Sequence, residues 1–140
     1  MTGLNELQLR TLRAVLDCVI PPDEFPGAWD AGVGNYLARQ FESDLASQFE
    51  FYCGGLDGLE AESNVRFGKS FSDLRSEQQI AILDAVESGE LSSSWTISAK
   101  NFFKLLVDTT AEGYYSDPEQ GGNRDAVSWA MTGFSEHGPT

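Results

Sequence analysis

Side chains able to do chemistry are sparse in this chain, and their spacing limits the reactions they could support. The one histidine, His137, stands three residues from the C terminus, where chains commonly fray. A serine or cysteine nucleophile needs a base held beside it, so the sequence argues against a triad, and His137 reads as a solvated tail residue. Cys18 and Cys53 are too far apart for a local metal knuckle and too few for a disulfide framework. They leave the redox compartment open, and no short Cys/His spacing suggests zinc. The run Asp117, Glu119, Gly121, Gly122 imitates the start of an EF-hand loop, but Ser128 stands where a bidentate glutamate is required. Asp108 and Glu112 could share acid and base roles. With 22 Asp and Glu residues in the chain, however, such pairs arise by chance, and a solvated helix face is the simpler reading. Gly121-Gly122-Asn123 suggests a phosphate loop, yet no lysine follows in the Walker position and no strand pattern precedes it. The residues therefore predict no catalytic group, no metal site and no cofactor site in this chain.

The elements that would position these side chains read as helices. Leu9, Leu12, Leu16 and Val19 recur at helical spacing, Asn5 and Gln8 form a variant capping box, and Pro21-Pro22 ends the segment. On that helix Cys18 points about 180° from Leu9, either exposed or against a second packing surface. Residues 21–30 hold three prolines and Gly27 and predict an irregular connection of fixed course. A second helix is expected from near Asp30. Val33, Leu37 and Phe41 begin an apolar stripe that Leu45, Phe49, Tyr52, Leu56 and Leu59 continue to about residue 66, as two helices or one bent one. Gly54-Gly55 marks either a close helix crossing or a kink. After Asp73 or Arg75, the residues Ile80, Leu83 and Val86 predict a third apolar face ending near Gly89. The serine-rich run from Glu90 to Thr96 predicts a surface loop. Phe102, Phe103, Leu105, Leu106 and Thr109 predict a last long helix closed by Gly113. No segment alternates like a strand. The expectation is an all-α fold, an irregular bundle of about four to six helices with a structured C-terminal loop, forming one domain over residues 1–140.

Composition excludes several partners. The 140 residues are 41% hydrophobic and 22% charged, so a globular chain rather than a disordered one is expected, and the formal net charge is −13. It repels phosphate backbones and anionic headgroups at long range, and neither nucleic-acid binding nor membrane insertion is expected. No stretch approaches the roughly 20 apolar residues of a membrane span. Met1 leads almost directly into an amphipathic segment without a signal-peptide pattern. As written, the chain is expected in the cytoplasm, or in the periplasm if an export signal was removed or is supplied by a partner.

The stretch from Gly113 to Trp129 gathers permissive glycines, Pro118, Tyr114, Tyr115, Arg124 and Trp129 in one loop after a helix. Tyr, Trp and Arg are the usual hot-spot residues of protein interfaces. The same aromatics could instead form an internal lid over the domain's own core, and physics divides these two readings about evenly.

The run Gly113-Tyr114-Tyr115-Ser116-Asp117-Pro118, followed by Gly121-Gly122-Asn123-Arg124-Asp125, Trp129 and Gly133-Phe134, closely resembles the ending of the gluconate 2-dehydrogenase subunit 3 family. Earlier segments agree in order: Ile20-Pro21, Pro26-Gly27-Ala28, Ala31-Gly32-Val33, Phe67-Gly68-Lys69-Ser70-Phe71, Asp73-Leu74 and Glu77-Gln78-Gln79. Cys53-Gly54-Gly55 and the serine-rich 90–96 segment depart from the pattern. The resemblance implies a non-catalytic small subunit that assembles with and stabilises a large FAD-dependent, GMC-type sugar or sugar-acid dehydrogenase. FAD would sit in the partner and no cofactor in this chain, with a cytochrome or another electron acceptor as a further partner. Tyr114, Tyr115, Asp117, Pro118, Gly121, Gly122, Asn123, Arg124, Asp125, Trp129, Gly133 and Phe134 become candidate interface or signature-loop residues. The alternative is a stand-alone small helical enzyme or ligand-binding domain using acidic and aromatic side chains around Tyr114, Tyr115 and Arg124.

If the loop is a docking surface, Trp129→Ala or Arg124→Ala weakens association with the large subunit by about 2 kcal/mol, while the melting temperature of the isolated chain barely changes. An internal lid reverses that ranking, and paired affinity and melting measurements distinguish the two.

Overall fold

In a computed structural model, residues 3–115 are described. They form five α-helices and no strand, so the fold is all-α. The helices are α1 (Glu6–Val19), α2 (Val33–Phe41), α3 (Phe49–Phe67), α4 (Ser76–Ser88) and α5 (Ala99–Tyr114), with short 3-10 turns at Ala46–Gln48 and Phe71–Asp73.

Helix α1 begins with the expected capping box. Asn5 Oδ1 accepts the Gln8 N–H at 2.7 Å, and Gln8 Oε1 accepts the Asn5 N–H at 3.1 Å. It stops at Ile20, immediately before the two prolines. The following connection is longer than expected, because it satisfies its own backbone. Ala28 N–H donates to Ile20 O and Ala31 N–H to Gly27 O, both at 3.0 Å. Asp17 Oδ1 also accepts the Trp29 N–H at 3.0 Å. Gly32 then takes a left-handed conformation with φ of 98°, so α2 starts at Val33 and not at Asp30.

The stripe from Val33 to residue 66 belongs to two separate helices. Helix α2 tightens and ends at Phe41, Leu45 lies in the turn that follows, and the chain enters α3 through the 3-10 turn. Helix α3 runs unbroken through Gly54-Gly55, so these glycines serve a crossing and not a kink. A Cβ on Gly55 would stand 2.0 Å from Phe102 Cδ1, and one on Gly58 would stand 2.5 Å from Trp95 Cε3. Their absence lets the aromatic rings of α5 and the loop before it lie against the α3 backbone.

The aromatic rings form a chain through the centre of the molecule. Phe49 meets Phe41 with ring centroids 5.3 Å apart, Phe41 meets Tyr52 at 5.0 Å, Tyr52 meets Phe102 at 5.6 Å and Phe102 meets Trp95 at 6.3 Å. The first three pairs are edge-to-face, the arrangement ring quadrupoles favour. Around them Leu12, Leu16, Leu37, Leu56, Leu59, Phe71, Ile82 and Leu106 are buried. The buried Tyr52 hydroxyl is satisfied by Thr109 Oγ1 at 3.0 Å, whose own proton goes to Leu105 O at 2.7 Å.

Two further expectations are corrected. In α4, Ile80 is not part of the core: it is 49% exposed, while Ile82, Leu83, Ala85 and Val86 face inward. In α5, Gly113 does not close the helix, which continues to Tyr114. Gly113 is buried, and a Cβ there would stand 2.8 Å from Tyr36 Cδ2, so this glycine permits α2 and α5 to approach. Gly89 does end α4 in the left-handed region, with φ of 81°, as expected.

Neighbouring glycines of α3 separate packing from helix propensity. Gly55→Ala forces its methyl group into the Phe102 ring and costs about 3 kcal/mol in urea unfolding. At Gly54 a Cβ would meet Ile97 Cγ2 at 3.3 Å and Ile97 Cγ1 and Thr96 Oγ1 at 3.4 Å, and the gain in helix propensity offsets these milder contacts. Gly54→Ala therefore stays within about 1 kcal/mol of wild type.

Candidate functional site

The candidate site begins where the signature leaves α5. Tyr114 occupies the last helical position, fully buried, and its hydroxyl donates to Pro26 O at 3.0 Å. Burial, then the neighbouring Tyr115 and Asp23, push its phenol pKa up. The side chain thus ties the end of α5 to the proline-rich connection and faces inward. Tyr115 is 48% exposed, with its ring edge-on to Tyr114 at a centroid distance of 5.4 Å. Of the two tyrosines read as contacts, the structure presents Tyr115 outward and places Tyr114 inside. The other candidates, Asp117, Pro118, Gly121, Gly122, Asn123, Arg124, Asp125, Trp129, Gly133 and Phe134, lie outside the described residues, as does His137.

A second organised cluster, at the loop that leads into the start of α5, centres on Glu62, which sequence reasoning missed. Its side chain is completely buried and accepts five hydrogen bonds. Oε2 accepts Arg66 Nε at 2.6 Å and the Ser92 N–H at 2.8 Å. Oε1 accepts the Ser93 N–H at 2.9 Å, the Ser93 hydroxyl at 2.6 Å and Trp95 Nε1 at 3.2 Å. Arg66 reaches on to Glu90 O at 2.7 Å with Nη2. The serine-rich run therefore does more than cover the surface, since its backbone N–H groups and Trp95 turn inward onto a carboxylate. One signal for this lay in the sequence: Glu62 continues the α3 stripe of Gly55, Gly58 and Leu59 and precedes Arg66 by one helical turn. Among 22 acidic residues that signal had no contrast.

Burial alone would raise the Glu62 pKa, but the hydrogen bonds from Ser93, Arg66, Ser92 and Trp95 outweigh it and hold the group down to about 2. Both oxygens are saturated by the protein's own donors, so the carboxylate is an anchor and is not placed to take a proton from a substrate. Of the acidic pair read from the sequence, Asp108 and Glu112 are both exposed, and Asp108 pairs with Lys104 at 3.1 Å, as a solvated helix face would. Cys18 is half-buried against α4, its thiol donating to Gln79 Oε1 at 3.3 Å. Burial raises its pKa to about 11, which disfavours the nucleophilic thiolate.

Nor does the glycine-rich face of α3 offer a cradle for a dinucleotide. The space beside Gly54, Gly55 and Gly58 is filled by Ile97, Phe102 and Trp95. Among the described residues no group of three or more potential ligands could hold a metal ion. No helix among them is long and apolar enough to cross a membrane.

Comparison with known proteins gives one family. The family model described as gluconate 2-dehydrogenase subunit 3 matches residues 6–136, a span that takes in the five described helices and the sequence from Gly113 to Phe134. No curated protein and no solved structure gives a match.

The Glu62 anchor predicts a specific acid sensitivity. A folded pKa below the ordinary 4.5 adds stability that is complete above about pH 4.5 and is lost as pH falls toward 2, on the order of 3 kcal/mol. Glu62→Gln costs about 3 kcal/mol at pH 7, because a buried ion pair loses one partner. Thermal melts should show the gap between wild type and Glu62→Gln narrowing as pH is lowered through that window.

Proposed function

Because the chain belongs to the gluconate 2-dehydrogenase subunit 3 family, we propose that it is a non-catalytic accessory subunit. It assembles with, and stabilises, the large FAD-dependent subunit of a sugar or sugar-acid dehydrogenase. The observation that carries this reading is the family match over residues 6–136. The geometry at the end of α5 supports it. A buried Tyr114 fixes the point from which the signature departs, and Tyr115 stands outward beside it.

The division of labour in this reading agrees with where reactive groups stand. In this chain the best-organised carboxylate is locked in a structural anchor and the glycine face is filled. FAD is assigned to the partner, where a hydride from the sugar carbon is accepted and the electrons pass to a cytochrome or another acceptor. The small subunit contributes shaped surface and raises the partner's stability by binding its folded state.

Co-expression with the flavoprotein subunit and native mass measurement test the proposal. The expected outcome is a complex containing both chains and a higher soluble yield of the flavoprotein. Finding neither sinks the reading. In that complex Tyr115→Ala should weaken association about tenfold or more and leave the melting temperature of the isolated small subunit nearly unchanged.

A further inference from the structure

The parts of the family pattern that fall between Ile20 and Val33 meet the end of α5, where the rest of that pattern begins. Tyr114 and Pro26 are 88 residues apart in sequence, yet the Tyr114 hydroxyl donates to Pro26 O at 3.0 Å. One residue earlier, a Cβ on Gly113 would stand 2.8 Å from Tyr36 Cδ2 and 3.1 Å from Val33 Cγ1. The final turn of α5 is thus gripped from two directions, by the connection before α2 and by α2 itself.

The connection is itself built to stay in place. Pro21 and Pro22 fix two φ angles. Ala28 N–H donates to Ile20 O at 3.0 Å, Ala31 N–H to Gly27 O at 3.0 Å and Val33 N–H to Ala28 O at 3.1 Å. Gly27 has no room for a side chain, since a Cβ would stand 2.8 Å from Asp17 Oδ1 and 2.9 Å from both Ile20 O and Pro22 Cδ. A carbonyl held this firmly fixes the group that bonds to it. Tyr114 is buried, and its ring stands edge-on to Tyr115 with centroids 5.4 Å apart. Adjacent residues share a backbone, so whatever fixes Tyr114 restricts where Tyr115 points.

We infer that the connection over residues 20–33 is a brace for the partner-facing end of α5, and that Tyr114 is a positioning residue that sets Tyr115 in the orientation the flavoprotein subunit meets. Neither Pro26 nor Tyr114 needs to touch the partner. Their effect is to lower the ordering cost of binding, because Tyr115 is already placed when the partner arrives. The inference rests on the accessory-subunit reading and gives a role to a stretch which that reading leaves unused. A purely structural hydrogen bond would instead add to the stability of the domain and nothing more, as the buried Tyr52 hydroxyl does with Thr109 Oγ1 at 3.0 Å.

The test compares two deletions of a buried tyrosine hydroxyl in the full chain, with the co-expressed flavoprotein as partner. Tyr114→Phe should raise the Kd about threefold to tenfold, whereas Tyr52→Phe, with a comparable drop in melting temperature, should change it less than about twofold. In a Tyr115→Ala background, Tyr114→Phe should add less than about twofold, because the group it positions is gone. A fluorotyrosine at position 115 of the isolated chain should show a shifted or broadened fluorine resonance in Tyr114→Phe and an unchanged one in Tyr52→Phe. Gly27→Ala, which displaces the connection, should act as Tyr114→Phe does; if it fails to fold, the hydroxyl deletions carry the comparison. Equal Kd values for the two deletions, full additivity of Tyr114→Phe with Tyr115→Ala, or an unmoved resonance would overturn the inference. If the wild-type chains do not associate, the accessory-subunit reading fails, and the fluorine signal still reports whether the brace holds Tyr115.

Discussion

A carboxylate removed from water must be surrounded by donors or give up its charge. At Glu62 the chain meets that demand with a side chain one turn away, two successive backbone N–H groups, a serine hydroxyl and an indole. The donors come from α3 and from the loop between α4 and α5, so satisfying one charge fixes the course of a segment that has no regular structure. Arg66 extends the constraint by donating to Glu90 O as well. Trp95, held by its hydrogen bond to Glu62, presses its ring against Gly58 and meets Phe102.

From that contact the aromatic chain carries the arrangement into α5 and α2. Phe102 lies on Gly55, Tyr52 meets Phe102 edge-on, and Phe41 and Phe49 continue the series toward the start of α3. At the opposite end of α5, Gly113 lets Tyr36 and Val33 of α2 come close, and Tyr114 reaches Pro26. The last helix is thus held at both ends by residues distant in sequence. The consequence for function is positional: Tyr115 is presented at a fixed place on the domain, which lowers the ordering cost of any contact it makes.

The surface follows a different logic from the core. Acidic residues outnumber basic ones 22 to 9 along the chain, yet Arg10 and Arg13 stand exposed on α1 near the half-exposed Ile80 of α4. Uniform like charge gives solubility without specificity, so such local exceptions are where one partner would be told from another.

Helical periodicity, the Asn5–Gln8 capping box, the proline stop after α1 and the Gly89 terminator were legible in the sequence, because each rests on interactions within a few residues. The ending from Gly113 to Phe134 also pointed to the family, being a dense set of uncommon residues in fixed order. Interactions spanning tens of residues had no such local trace. Whether Gly54-Gly55 and Gly113 were hinges, caps or contact points depended on which rings arrived from elsewhere, and Phe102 and Tyr36 decided it. Ile80 and Ile82 are the same residue type, and only the placement of the helices around α4 chose which would be buried. Glu62 looked like any other acidic residue until the serine-rich loop folded over it. Tyr114 and Tyr115 are adjacent and identical, and the tertiary structure alone turned one inward to Pro26 and left the other facing out.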